Sequence, residues 1–298
     1  MAKKLNLKGI VLNRTIGIEV EGYTKNITKL SQGVRHSNLK RDGSLNNSYG
    51  WNARHVDGIN VGMEVVSIPL SKLDMLDEIF EDIQATKWNV GRGKAGTHIH
   101  VDVRDYTLLD RIKMAVLMEK LDDVMFLMVK PSRRTRENQR NRYCRPMDSL
   151  WSTIIRRCQE TGLNINNHDN IRNLLYSLTR IEQSSGNYRS LPNWNRYNFA
   201  NVFDTGIGTI EFRLFHAIRD SSDAKKFGLL AYHLIETVKH SSVEQLEFIA
   251  ESINNSSSAE EMVKRLAESI GLEFTPKIYN NDLKDYINIR KSRQARAI

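Results

Sequence analysis

Gly17-Ile18-Glu19-Val20-Glu21-Gly22 is the stretch from which the fold is read. Side chains alternate across an extended strand, so Ile18 and Val20 share one face while Glu19 and Glu21 share the other. Two carboxylates side by side repel each other, and Glu is a poor strand former, so something must compensate them. Solvent or a neighbouring Arg or Lys is the ordinary compensator. A divalent cation is the other, because hard ions such as Mg²⁺ take carboxylate oxygens.

Three later stretches repeat the pattern. Val61-Gly62-Met63-Glu64-Val65-Val66-Ser67 reads as a strand stopped by Pro69. A turn rich in glycine, from Gly91 to Gly96, leads into a strand that sets Ile99, Val101 and Val103 against His98, His100 and Asp102. In the stretch from Gly208 to Phe215, Ile210, Phe212 and Leu214 oppose Glu211 and Arg213. A half-solvated antiparallel sheet also alternates apolar and polar residues, but its wet face would mix Thr, Lys, Ser and Gln. Singly, His-x-His reads as a surface or hydrogen-bonded pair and Glu-x-Arg as a diagonal ion pair of little weight. Together the Glu, His and Arg residues form a coherent electrostatic set. Carboxylates and an imidazole suit divalent cations, and Arg with a second His suits phosphate.

Around these strands the chain reads as helix and loop. Ser71 is expected to cap a helix whose apolar residues Leu73, Leu76, Ile79, Phe80 and Ile83 recur at helical spacing. A long amphipathic helix is expected from Thr107, with Asp110 completing a capping box. Lys130 to Pro146 holds Arg133, Arg134, Arg136, Arg140, Arg142 and Arg145 without apolar periodicity. It reads as a loop, either a solvated surface or a clamp for phosphate or carboxylate, with Arg140, Arg142 and Tyr143 as the candidates. Helical patterns return over 150–159 and 170–183, and from Ser221 onward two or three helices follow. Ser242 with Gln245 and Ser258 with Glu261 give capping boxes, and Gly271 a stop. Arg290, Lys291, Arg293 and Arg296 read as a basic tail. Strands and helices intermingle without a βαβ rhythm, which predicts an α+β fold with an antiparallel sheet flanked by helices.

Of the 298 residues, 40% are hydrophobic and 27% charged, enough apolar material for a real core. The 44 Lys and Arg against 35 Asp and Glu leave a net charge of +9, which favours an anionic ligand. Charge alone does not separate nucleotide, nucleic acid and acidic substrate. Cys144 and Cys158 are too few for a disulfide framework, and a cytoplasmic, reducing location is expected. Cys144 lacks a His partner in sequence and reads as a packed or loop thiol. The basic N-terminus lacks the apolar core of a leader peptide. The most apolar run, from Met114 to Val129, is broken by Glu119, Lys120, Asp122 and Asp123 and so is not expected to span a bilayer.

The order Glu-x-Glu, Gly-x-Glu, Gly-x-His-x-His, Ile-Glu-x-Arg resembles the carboxylate–amine ligases of the glutamine synthetase fold, and within them the amidoligase branch. Asp42-Gly43-Ser44-Leu45, Gly62 to Ser67 with Pro69, Gly96 to His100, the Arg-rich loop with Tyr143-Cys144-x-Pro146, Asn201 and Gly208 to Arg213 carry the likeness. It spans about residues 15–218. The resemblance implies a glutamine synthetase-like catalytic domain over 1–220 with a helical insertion at about 107–190, and a helical extension with a basic tail over 221–298. It implies that Glu19, His98 and Glu211 hold one Mg²⁺ or Mn²⁺ at the nucleotide phosphates, and that Glu21 and Glu64 hold another nearer the acyl phosphate. His100 is implied to contact ATP phosphate and Arg213 the transferring phosphoryl group, with Asp42 at the substrate or in a turn. The implied chemistry is an ATP-driven amide ligation of a carboxylate and an amine. A phosphotransferase of the same fold, and a nucleic-acid-binding protein using the basic loop and tail, are the alternatives. After Phe215 this chain has His216-Ala217-Ile218-Arg219 where the family often has a small residue and Thr.

Overall fold

A computed structural model describes residues 7, 9–24, 33–41, 61–90, 95–133, 144, 147, 156, 160–162, 199–202 and 207–296. Asp42, Arg140, Arg142, Tyr143, the glycine turn at 91–94 and the helical pattern at 170–183 lie outside the described residues. So does most of the pattern at 150–159. The chain divides into two compact units, Met1–Asp102 with Leu214–Tyr232, and Val103–Arg213 with His233–Ile298. Strand β7 (Thr209–His216) and helix α4 (Ser221–His240) each begin in one unit and end in the other.

The first unit is organised on β1 (Val11–Thr24), the long strand that contains the Glu-x-Glu stretch. It pairs antiparallel with β3 (Val61–Ser67) on one side and β5 (Gly96–Asp102) on the other, and β2 (Ser37–Arg41) continues the sheet beyond β3. Alternation holds as read: Ile16, Ile18, Val20, Val65, Ile99 and Val101 are at most 1% exposed. Helix α1 (Met75–Ala85) contributes Leu76, Ile79, Phe80 and Ile83 to the core. Ser71 does not cap it. Leu70–Lys72 pair with β1 as a short strand, β4, and the N-cap residue is Asp74. The Asp74 carboxylate makes no cap bond, because it accepts from the Gly9 N–H at 2.8 Å and the buried Lys225 ammonium at 3.1 Å.

The second unit carries helices α2 (Leu108–Lys120), α3 (Asp122–Leu127), α5 (Val243–Asn254), α6 (Ala259–Ser269) and α7 (Asn281–Arg296). Thr107 and Asp110 form the expected capping box, as do Ser242 and Gln245. The Ser258 hydroxyl accepts from the Glu261 N–H, while the Glu261 carboxylate turns to Ser257. Gly271, at φ +72°, ends α6, and the Leu272 N–H returns to the Ala267 carbonyl at 2.8 Å. The expected basic tail is instead helical to Arg296. Ile287 is fully buried, Lys284 pairs with Glu260 at 2.6 Å and Arg290 with Asp123 at 3.2 Å. Cys144 is buried, as a packed thiol would be. With the short β6 (Ala200–Asn201) antiparallel to β7, the fold is α+β. Among the described residues no helix is long and apolar enough to cross a membrane.

Candidate metal centre

Strand register decides which ionisable side chains of the first unit meet. Residues directly opposite in an antiparallel pair share a face. Glu19 lies opposite His98, Gly17 opposite His100 and Glu21 opposite Glu64. Five residues singled out in the sequence thus converge on one face of β3, β1 and β5. The Glu21–Glu64 register sets two like charges opposite each other, while Lys40 of β2 lies opposite Glu64 on its other side.

The imidazole of His98, 3% exposed, lies between two carboxylates. Its Nδ1 is 3.0 Å from Glu19 Oε2 and its Nε2 3.6 Å from Glu21 Oε1. His100 Nε2 is 3.3 Å from the other Glu19 oxygen. Burial alone would raise the Glu19 carboxyl, but the hydrogen bonds and charges of His100 and His98 outweigh it and hold the group well below the usual carboxylate range. Glu21 is 8% exposed, and its Oε2 accepts the Gly96 N–H at 2.6 Å, so the backbone fixes it. One ligand atom each from Glu19, Glu64 and His98 lies within 4.8 Å of the others. Carboxylate oxygens with one imidazole suit Mg²⁺ or Mn²⁺ better than the thiolate-seeking ions. The donor set therefore fits a divalent cation.

The second unit holds Glu211 and Arg213 on β7. Asn201 on β6 lies opposite Glu211, and its Nδ2 donates to Glu211 Oε2 at 3.3 Å. Arg213 Nη1 donates to the other oxygen, Oε1. The main chain of Arg213 is bonded on both sides: its N–H donates to the Phe199 carbonyl at 2.7 Å, and its carbonyl accepts from Arg133 Nη2 at 2.7 Å. Arg133 is 3% exposed, which sets it apart from a solvated surface loop. Sequence reading did not assign roles to Asn201 or Arg133. Asn201 could be found by pairing its short strand with β7, whereas nothing local distinguishes Arg133 from Arg134 or Arg136.

Each unit therefore carries part of the set drawn from the sequence: Glu19, Glu21, Glu64, His98 and His100 in the first, Glu211 and Arg213 in the second. A family model described as "putative amidoligase enzyme" matches residues 11–230. The chain belongs to this amidoligase family. The match takes in all seven of these residues, so the amidoligase assignment and the convergent Glu and His face concern the same part of the chain. No curated protein matches the amidoligase chain.

Proposed function

We propose that the protein is an ATP- and Mg²⁺-dependent carboxylate–amine ligase with a glutamine synthetase-like catalytic sheet. The observation that carries this reading is the convergence of half-buried Glu19 and Glu64 with buried His98, and of buried Glu21 beside them, on one face of β1, β3 and β5 in a chain of the amidoligase family. In the reaction, a substrate carboxylate oxygen attacks the γ-phosphorus of ATP, and the bond from that phosphorus to the bridging oxygen breaks, releasing ADP. An amine then attacks the acyl carbon of the acyl phosphate, expelling inorganic phosphate and losing a proton as the amide forms.

Phosphoryl transfer asks for positioning and charge neutralisation more than for a protein nucleophile. Glu19 and His98 would hold one cation and Glu21 and Glu64 a second, with Glu211 a further candidate ligand; when bound, these cations neutralise phosphate charge. His100 contacts ATP phosphate, and Arg213 meets the transferring phosphoryl group with its planar donors. Asp42, Arg140 and Arg142 are assigned to the substrate and nucleotide, which the +9 net charge favours as anions. The His100 imidazole is already near Glu19, and the Gly96 N–H already orients Glu21, so little rearrangement precedes binding.

The test is phosphate and ADP release from MgATP with pooled acids and amines. Amine-dependent release is expected from the parent, reduced about 100-fold or more in Glu19→Ala, Glu211→Ala and Arg213→Ala. Variants as active as the parent would refute the site assignment. ADP release that persists without amine and leaves a phosphorylated product would instead favour a phosphotransferase.

A further inference from the structure

We propose that Lys40 is an anion-binding residue of the cation site: it meets a phosphate or carboxylate group of a ligand carried on the cation and so helps to choose that ligand. The proposal rests on the reading above that the Glu and His face of β1, β3 and β5 holds a divalent cation, and it adds a contact from β2. All the residues involved lie within the first unit.

Register extends the charged face by one strand. Lys40 lies opposite Glu64 and Asn38 opposite Val66, and Val66 in turn lies opposite Glu19. Directly opposed residues share a face, so Asn38 and Lys40 stand with the Glu and His residues, while Leu39 joins Val65 on the other face. The Cβ atoms of such a pair are about 5 Å apart, so the Lys40 side chain reaches a group that lies beside Glu64. Among the described strands β2 is the edge of the sheet on this side.

Exposure rises toward that edge. His98 is 3% exposed, Glu19 and Glu64 are half-buried, and Asn38 and Lys40 are exposed. The imidazoles of His98 and His100 are engaged with Glu19 and Glu21. No ion pair among the described residues takes up the Lys40 ammonium. A hard cation held by a few protein ligands completes its shell with water or with substrate oxygens. An anionic group that arrives this way beside Glu64 is repelled by the carboxylate unless a positive charge is near. Lys40 supplies that charge, and its compact, rotatable ammonium can follow ligands of different shape. An exposed lysine on an edge strand also guards the edge against pairing with another chain. Guarding needs only a charge in solvent, whereas anion binding makes ligand affinity depend on Lys40.

Calorimetric titration of the full chain separates the two roles. Mn²⁺ is titrated alone, then manganese pyrophosphate as the phosphate probe and, at saturating Mn²⁺, succinate as the carboxylate probe. Lys40→Met is expected to bind Mn²⁺ at least as tightly as the parent, since the charge removed is positive. It is expected to bind one or both probes about 10-fold more weakly. Lys40→Arg restores that affinity. Lys72→Met removes an equal charge from β4, opposite Val11 at the other end of β1, and leaves it unchanged. A loss confined to pyrophosphate assigns Lys40 to the nucleotide, a loss confined to succinate assigns it to the acid substrate, and a loss of both makes it a general anion contact. Far-UV circular dichroism and melting curves establish that each variant is folded. A parent that binds Mn²⁺ while Lys40→Met takes both probes as tightly as the parent, or while neither probe binds, contradicts this proposal alone. Weaker Mn²⁺ binding in Lys40→Met also contradicts it, because Lys40 would then support the sheet rather than the ligand. A parent that binds no Mn²⁺ overturns the cation reading and this proposal with it.

Discussion

Glu64 faces Glu21 across β1 and Lys40 across β2, so a like charge meets it on one side and an opposite charge on the other. Glu64→Gln removes both interactions and is expected to leave the metal-free stability within about 1 kcal/mol of the parent. The same variant should lose most of the thermal stabilisation that Mn²⁺ gives the parent, since ligand binding to the native state adds to stability. Melting curves with and without Mn²⁺ check both halves. Gly22 makes the opposite demand. A Cβ there would lie 2.4 Å from Trp88 Cε2 and Nε1, and the indole packs against Tyr23, Val90, Ala95 and Ala217. A rigid ring in a core cluster cannot move aside cheaply, so Gly22→Ala is expected to cost about 1–3 kcal/mol by denaturant unfolding. Gly17 is different: its Cβ would sit 3.5 Å from the His100 Cβ, an ordinary contact. Of the two glycines that flank the Glu-x-Glu pair, one answers to packing and the other leaves room on the charged face.

Helix α2 shows how one element joins sequence signal to charge. The Asp110 N–H donates to Thr107 Oγ1 at 3.1 Å, and the Asp110 carboxylate accepts the Thr107 N–H at 3.0 Å. Lys113 and Lys239 approach the same carboxylate at 3.0 and 3.1 Å. Thr107→Ala should cost about 1 kcal/mol through the lost cap. Burial alone would raise the Asp110 carboxyl, but the Thr107 bonds and the two lysines outweigh it and lower the pKa to about 2. A depressed carboxyl stabilises above its unfolded value of about 3.9 and loses that contribution as the pH falls toward the folded value. The parent should therefore lose stability between about pH 4 and pH 2 at this group, and Asp110→Asn should flatten that part of the profile while lowering stability at neutral pH. An unchanged acid profile in Asp110→Asn would remove Asp110 from the account of acid sensitivity.

At the scale of the whole molecule, the strands and their charged faces were legible because a period of two is short and unambiguous. Ile18 and Val20 against Glu19 and Glu21, or Ile99 and Val101 against His98 and His100, can be read without knowing what they pair with. Register was not legible, because it depends on partners tens of residues away. That Glu19 meets His98, and that Glu21 meets Glu64, is settled only by pairing. Ser71 was misread because β1 recruits Leu70–Lys72 into the sheet, a long-range contact that outweighs a local cap signal. Helix α7 was hidden for the opposite reason: among its described side chains Ile287 is the one fully buried apolar residue, so no stripe stands out among its charges. It is held by ion pairs and by Asn280, whose Oδ1 accepts the Leu283 N–H at 3.2 Å. The roles of Arg133 and Asn201 are likewise tertiary.

The claim on which the rest depends is that the charged face of β1, β3 and β5 is a divalent cation site. Anomalous X-ray scattering from crystals soaked in Mn²⁺ tests it most directly. The expected result is an anomalous peak about 2.0–2.4 Å from carboxylate oxygens of Glu19 and Glu64 and from an imidazole nitrogen of His98, absent in Glu64→Gln. Saturating Mn²⁺ that leaves that face empty, or an ion that binds there equally in Glu64→Gln, would contradict it.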